Sequence, residues 1–247
     1  MVQGPLRVDF LTVLADWISD PARWTGATGI PNRLLQHLGY SVGATLIAAA
    51  IALPLGIWLG HTGRYGNLAI QITNVGRAVP TLVLILLLFA LWPFNVAVIF
   101  AALVALAVPP ILANAYVGIR QVDPEVRDAA LGMGMRGTQL LREIEIPVAI
   151  PLIMSGVRTS AVQIVATAGL AAFVGFGGLG RLVIDGVAKG FRGTARGLPE
   201  VVWGAVLIAA LAVLTELLLA RVQRAVTPRG LRRHATPASE IPSASTT

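Results

Sequence analysis

One stretch of 42 residues, Ala78–Ile119, contains no charged or histidine side chain. The hydrocarbon core of a bilayer is about 30 Å thick, and an α-helix crosses it with about 20 apolar residues. The run is therefore too long for one crossing and fits parts of two. The break is expected at Trp92–Asn95, because proline and asparagine favour turns and aromatic rings favour the membrane interface.

The same criterion predicts five membrane-spanning helices. Only 13% of the residues are charged, against about 25% in soluble domains. Since the bilayer core offers no water to the backbone, a spanning segment must satisfy its own hydrogen bonds as a helix. The predicted fold class is therefore all-α, a polytopic membrane protein. The predicted spans are Gly39–Gly60, Ala69–Leu91, Val96–Ile119, a stretch within Val148–Phe176, and Val201–Ala220.

Charge and rare residue types exclude several function classes. The net charge is +7, but the cations lie between apolar runs and form no basic face for nucleic acid. Cysteine is absent and the three histidines are scattered, so neither a metal site nor a cofactor is predicted. Lys189 is the only lysine and no phosphate-binding loop motif occurs. The chain is therefore not expected to be an enzyme or to hydrolyse ATP itself.

The two ends of the chain differ in character. Residues 1–37 are predicted to be an amphipathic extracytoplasmic segment that lies at the interface or against the bundle. Residues 38–222 form the transmembrane domain, and residues 223–247 form a basic and then disordered tail. Ten cations against seven favour a cytoplasmic C-terminus in a bacterial inner membrane. The apolar face of the N-terminal segment consists of Phe10, Val13, Leu14, Trp17 and Ile18.

One charged segment between two spans, residues 120–147, is too polar for lipid and is here named the 120–147 loop. Asp123-Pro124-Glu125 is a favourable helix start. Gly132, Gly134 and Gly137 are expected to break this helix, and a second short helix is predicted at about Thr138–Ile144, before Pro147 opens the next span. The sequence thus predicts a pair of short cytoplasmic helices whose small side chains allow close approach of a partner.

The spacing within this loop resembles the EAA loop of ABC importer permeases, E-A-A-x3-G-x9-I-x-L-P. Asp128 replaces the glutamate and Ile146 replaces the leucine, so both departures keep the chemical type. The resemblance implies the type I, MetI-like permease fold, a homo- or heterodimeric permease partner, ABC ATPase subunits that receive the loop in a groove, and an extracytoplasmic solute-binding protein. The matching residues are Asp128, Ala129, Ala130, Gly134, Ile144, Ile146 and Pro147.

The resemblance extends over about residues 32–220 and is to the osmoprotectant branch of these permeases. This branch imports glycine betaine, carnitine, choline or proline. Methionine-type permeases share the fold and the general loop, so they remain the alternative. The matching stretches are Leu53–Gly60, Ala78–Leu87, Pro109–Met135, Ile146–Val162 and Phe173–Val187.

The segment Gly175–Gly180 reads G-x-G-x-x-G, which is also the fingerprint of dinucleotide sites. Such a site requires a preceding strand, whereas here an apolar helix precedes. The segment is therefore predicted to be a helix terminus and tight turn at the outer surface. Gly175, Gly177 and Gly178 are the candidates for contact with the binding protein or for an outer gate.

Charges and prolines near the spans give the remaining candidates. Arg77 and Arg158 must snorkel or find a partner, and contact with the 120–147 loop or the translocation path is the functional alternative. Pro80 is a candidate for gating, since proline kinks membrane helices. A secondary transporter would need paired acids or a charged relay in the spans, but Glu216 is the only acid clearly inside one. A membrane enzyme would need catalytic clusters that are not evident.

Overall fold

The computed structural model describes residues 6–63, 71, 80–93, 95–190 and 197–228, and within these ranges the ordered elements are helical. The all-α prediction is therefore confirmed. Shorter helical turns of 3₁₀ type lie at Pro21–Arg23 and Gly169–Val174, and a π-turn lies at Leu141–Glu145. The α-helices are α1 Leu6–Ser19, α2 Ile30–Thr62, α3 Thr81–Leu91, α4 Ala97–Arg120, α5 Pro124–Gly132, α6 Gly137–Leu140, α7 Ile146–Ala168, α8 Gly180–Lys189 and α9 Leu198–Val226.

Among the described residues, four helical segments are long and apolar enough to cross a membrane: Ile30–Thr62, Ala97–Arg120, Gly137–Val174 and Leu198–Val226. They correspond to four of the five predicted spans. The remaining span, Ala69–Leu91, is described only from Pro80 onward and at residue 71, and its apolar end forms α3. Pro80 was expected inside a spanning helix. In the structure it is the N-cap of α3 and therefore lies at a helix start.

Helices α2, α4 and α7 form the centre of the bundle. Ala44, Ala48 and Ala52 recur at every fourth position of α2 and are fully buried. Their small side chains allow α4 to approach closely, as is usual between membrane helices. Leu103 and Ile111 of α4 fill the space opposite. Helix α9 lies at the edge, where its buried residues are confined to the first turns.

The chain between the 120–147 loop and α7 is continuous. The second short helix was expected to end before Pro147, but α6 passes through the π-turn directly into α7. Proline lacks a backbone N–H and therefore disturbs regular α-helical bonding. A π-turn immediately before Pro147 changes the bonding pattern there and lets the helix continue. Gly137 is the first residue of α6 and does not break a helix.

The bundle has two ends, which are named here by what they carry. The loop end carries the 120–147 loop, and the turn end carries the turn at Gly175–Gly180, because α7 runs from one to the other. Helix α1 is at the turn end, where Trp203 Nε1 donates to the Leu14 carbonyl at 2.9 Å. Trp17 and Ile18 also pack on the bundle, whereas Phe10 and Val13 are exposed. A helix is present at this position, but its apolar face is divided between the bundle and the exterior.

Candidate functional site

The first half of the 120–147 loop presents an exposed helix. Asp123 caps α5 by accepting a hydrogen bond from the Glu125 N–H at 2.9 Å, which satisfies one of the free donors at a helix start. Asp128 and Ala129 are exposed on α5, whereas Ala130 is buried against the bundle. Helix α5 therefore has one buried face and one exposed face, and these three neighbouring residues are divided between them.

Gly134 reverses the chain direction after α5. Its φ is +87°, in the left-handed region that L-residues disfavour. A side chain at this position would meet no atom within 4 Å, so the conformation alone requires glycine. Met133 beside it is 79% exposed. The tip of the loop is thus a rigid turn with open space around it.

The second half of the predicted motif lies against the bundle. Ile144, Ile146 and Pro147 are half-buried, and Ile146 packs on Ala115 and Ile119 of α4. The seven motif residues therefore divide by role in the structure. Those before Gly137 are mostly exposed, and those after it attach the loop to the spans.

A buried charge cluster, which sequence patterns did not indicate, lies directly beneath the loop. Glu145 is fully buried, and its carboxylate accepts from His61 Nδ1 at 2.6 Å and pairs with Arg127 Nη1 at 3.2 Å. Arg127 also donates to the Ile119 carbonyl. We name His61, Arg127, Glu145 and this carbonyl the Glu145 cluster. The only sequence signal was a glutamate two residues before the proline of an apolar span.

The turn end is held by contacts between the backbone of its glycines and the Gln36 side chain. Gly175 and Gly178 have φ of +86° and +96°, and the Gly178 N–H donates to Gln36 Oε1 at 2.9 Å. Gly177 faces the same glutamine side chain so closely that a Cβ there would overlap it. The turn follows the 3₁₀ segment Gly169–Val174 and opens α8. It therefore lacks the strand that a dinucleotide site requires, and the predicted helix terminus and turn are present.

Buried polar groups surround this turn. His37 Nε2 lies 2.9 Å from the Val165 carbonyl, within hydrogen-bonding distance. Arg33 pairs with Asp185 at 3.0 Å, and Arg181 pairs with the other oxygen of Asp185 at 2.7 Å. These contacts join the first turns of α2 to α7 and α8. They also explain why α2 begins at Ile30, well before the apolar run that was predicted as the span.

Of the remaining candidates, Pro80 and Arg158 are not brought to either site. Arg77 lies outside the described residues, and Pro80 is exposed at the start of α3. Arg158 Nε pairs with Glu216 Oε1 at 3.3 Å, between α7 and α9. This pair supplies the partner that a charge within a span requires, so neither residue needs a role in transport to explain its presence.

Comparison with known proteins identifies the family. Residues 52–232 match the family described as "Binding-protein-dependent transport system inner membrane component". The chain is 33% identical over 198 residues to the carnitine transport permease protein OpuCB of Listeria monocytogenes, covering 80% of this chain and 88% of the relative. It is 34% identical over 198 residues to the glycine betaine/carnitine/choline transport system permease protein OpuCB of Bacillus subtilis (strain 168), with the same coverage.

A solved structure gives the fold independently. The inward-facing MetNI methionine ABC transporter aligns with a TM-score of 0.70 at 21% identity, covering 85% of this chain and 100% of that chain. At this identity the likeness establishes the fold alone, which is the MetI-like permease fold expected from the loop. Given the family match over residues 52–232 and relatives above 30% identity along most of their length, the chain belongs to the family of binding-protein-dependent transport system inner membrane components.

Proposed function

We propose that the chain is the membrane-spanning permease subunit of an ATP-driven importer for osmoprotectants such as glycine betaine, carnitine, choline or proline. The observation that carries this proposal is the identity of more than 30% to permeases named for carnitine and for glycine betaine, carnitine and choline, along 88% of their length. The fold by itself does not separate this branch from methionine-type permeases, so the solute is the part to be tested.

In this function the 120–147 loop docks into a groove of a separate ATPase subunit. The exposed side of α5, with Asp128 and Ala129, would enter the groove, and Gly134 would hold the turn that presents it. Ile144, Ile146 and Pro147 would keep the loop attached to the spans. The lack of a phosphate-binding loop in the sequence supports hydrolysis in trans.

The other parts of the importer are assigned by the same reasoning. A second permease, identical or related, would complete the membrane unit, and a solute-binding protein would dock at the turn end near Gly175, Gly177 and Gly178. Arg77 and Pro80 stay candidates for the path or gate. The loop end, residues 223–247 and the C-terminus would face the cytoplasm, and residues 1–37 would face the outside.

Co-purification tests the docking of the loop. Gly134→Arg places a long cation at the tip, where it would block entry into a groove, so we expect loss of the ATPase from complexes purified through a tag on this chain. Gly26→Arg is the matched control, because Gly26 also has a positive φ of 78° and open space around it but lies at the turn end. Equal recovery of the ATPase with both variants would contradict docking at this loop.

Uptake measurements test the rest of the function. Liposomes containing the whole complex, with ATP inside and the solute-binding protein outside, should accumulate radiolabelled glycine betaine. Accumulation of methionine in its place would assign the chain to the methionine-type alternative. Uptake by this chain alone without ATP would show that it is a secondary transporter.

A further inference from the structure

The Glu145 cluster joins four separate parts of the chain at one buried point. His61 comes from the last turn of α2, Arg127 from α5, and Glu145 from the π-turn that leads into α7. Arg127 also reaches the Ile119 carbonyl at the end of α4. Arg127 therefore connects α5 directly to the end of α4 and to the π-turn before α7, and Glu145 extends this connection to α2 through His61.

Arg127 is the neighbour of Asp128, the first residue of the motif. Asp128 is exposed, whereas the Arg127 side chain is only 15% exposed and turns inward. A force on Asp128 at the outer face of α5 would therefore reach Glu145 through the adjacent residue, Arg127. The tip of the loop offers no such connection, since a Cβ on Gly134 would meet no atom within 4 Å and Met133 is exposed.

The chemistry of the cluster favours a stiff connection. Glu145 has a 2.6 Å contact to His61 and a 3.2 Å ion pair with Arg127, and a buried carboxylate that loses its partners is strongly disfavoured. Glu145 cannot exchange its partners for water, because its side chain has no exposed surface. Arg127 and Glu145 are therefore expected to move together when α5 moves.

We infer that Glu145, Arg127 and His61 are positioning residues that transmit movement of α5 to the central spans α2, α4 and α7. This role presupposes the proposed function, in which an ATPase moves the loop. It differs from docking, because none of the three side chains belongs to the exposed face of α5. Loss of the cluster should therefore separate ATP hydrolysis from transport while leaving the ATPase bound.

The test compares uptake per ATP hydrolysed in liposomes containing the whole complex, with the solute-binding protein and radiolabelled glycine betaine outside. Glu145→Gln keeps the shape of the side chain but removes its charge. We expect at least a fivefold fall in uptake per ATP, with unchanged recovery of the ATPase. Glu216→Gln is the control, because it removes the carboxylate of another Glu–Arg pair, between α9 and α7, at a similar distance and without contact to the loop. Its uptake per ATP should stay within twofold of the native value.

A second pair of variants covers the case in which Glu145→Gln does not fold. Arg127→Met and His61→Asn remove the partners one at a time, and each should lower uptake per ATP. The double variant Arg127→Met with Glu145→Gln should be no worse than the more severe single variant, because both changes interrupt the same connection.

The possible outcomes distinguish failure of the transmission role from failure of the proposed function. Native uptake per ATP in all folded cluster variants would overturn the transmission role while leaving the proposed function intact. Absence of both the ATPase and ATP-dependent uptake from the native complex would instead remove the proposed function. Multiplying effects in the double variant would show independent structural roles and would also overturn the inference.

Discussion

At the loop end of the bundle, a carboxylate, a guanidinium and an imidazole connect four segments, whereas at the turn end the backbones of paired glycines touch directly. A Cβ on Gly180 would overlap the carbonyl oxygen of Gly169. The Glu145 cluster depends on side-chain charge and reach, and the glycine contact depends on the absence of any side chain. The turn end also has ion pairs, from Asp185 to Arg33 and Arg181, but it combines them with close glycine packing.

The largest expected effect tests the Glu145 cluster at the loop end. Glu145→Ala leaves Arg127 and His61 without the buried carboxylate, and removing one partner of a buried ion pair costs about 3–5 kcal/mol. We expect a clear fall in the apparent melting temperature of the detergent-purified chain. Glu143→Ala, an exposed carboxylate two residues earlier, is the control. Equal melting temperatures for the two variants would mean that the cluster does not hold this end.

The next effect tests the close contact between Gly180 and Gly169 at the turn end. Gly180→Ala forces α8 away from Gly169, and overpacking of this kind costs about 1–3 kcal/mol. The melting temperature should fall, and protease sensitivity near Gly175–Gly180 should rise. Gly39→Ala is the control, because that glycine is exposed within α2 and a Cβ there meets nothing within 4 Å. If both alanine variants melt alike, the close contact is not needed.

A smaller effect concerns the tip of the loop. Gly134→Ala meets no neighbour, but the left-handed conformation costs an L-residue about 1–2 kcal/mol. Gly132→Ala lies two residues earlier at the end of α5, also in open space, and its better helix propensity should stabilise α5 slightly. Proteolysis rates of the loop measure both changes. Opposite signs are expected, and the same sign for both would refute the role assigned to the turn.

The smallest effect concerns the attachment of α1 at the turn end. Trp203→Phe keeps an aromatic ring but removes the hydrogen bond to the Leu14 carbonyl, at a cost of about 1 kcal/mol. Hydrogen exchange in α1 should become faster while the central helices keep their protection. Trp92→Phe, whose native ring is 58% exposed, serves for comparison. Unchanged exchange in α1 would show that apolar packing alone holds this helix.

The sequence was most informative where one physical rule decides the structure. Charge-free runs identified the long helices, since a helix satisfies all of its backbone hydrogen bonds within one segment, and the break between the end of α3 at Leu91 and the start of α4 at Ala97 lies where it was expected. Asp123 caps its helix as predicted. The left-handed Gly134 follows from the glycine requirement of such turns.

The contacts between distant residues could not be read from local patterns. Glu145 and His61 are 84 positions apart, and no periodicity indicates that two polar residues at the edges of different spans will meet. The continuity of α6 with α7 was missed for a related reason. Proline is a reliable sign of a helix start, but a preceding π-turn lets the helix pass through it, and this depends on how α7 packs against α4.

The π-turn at Leu141–Glu145 has a consequence for the angular phase of the span that follows. Each residue advances an α-helix by about 100°, and a π-turn accommodates one additional residue within its winding. If the same residues wound as a regular α-helix without the π-turn, all later side chains of α7 would be rotated by roughly that angle relative to the loop. Arg158 would then face away from Glu216, and Ser160 would leave the Ala107 carbonyl, which now accepts its hydroxyl at 3.1 Å. One extra residue at the membrane boundary therefore determines which side of this span faces each of its neighbours.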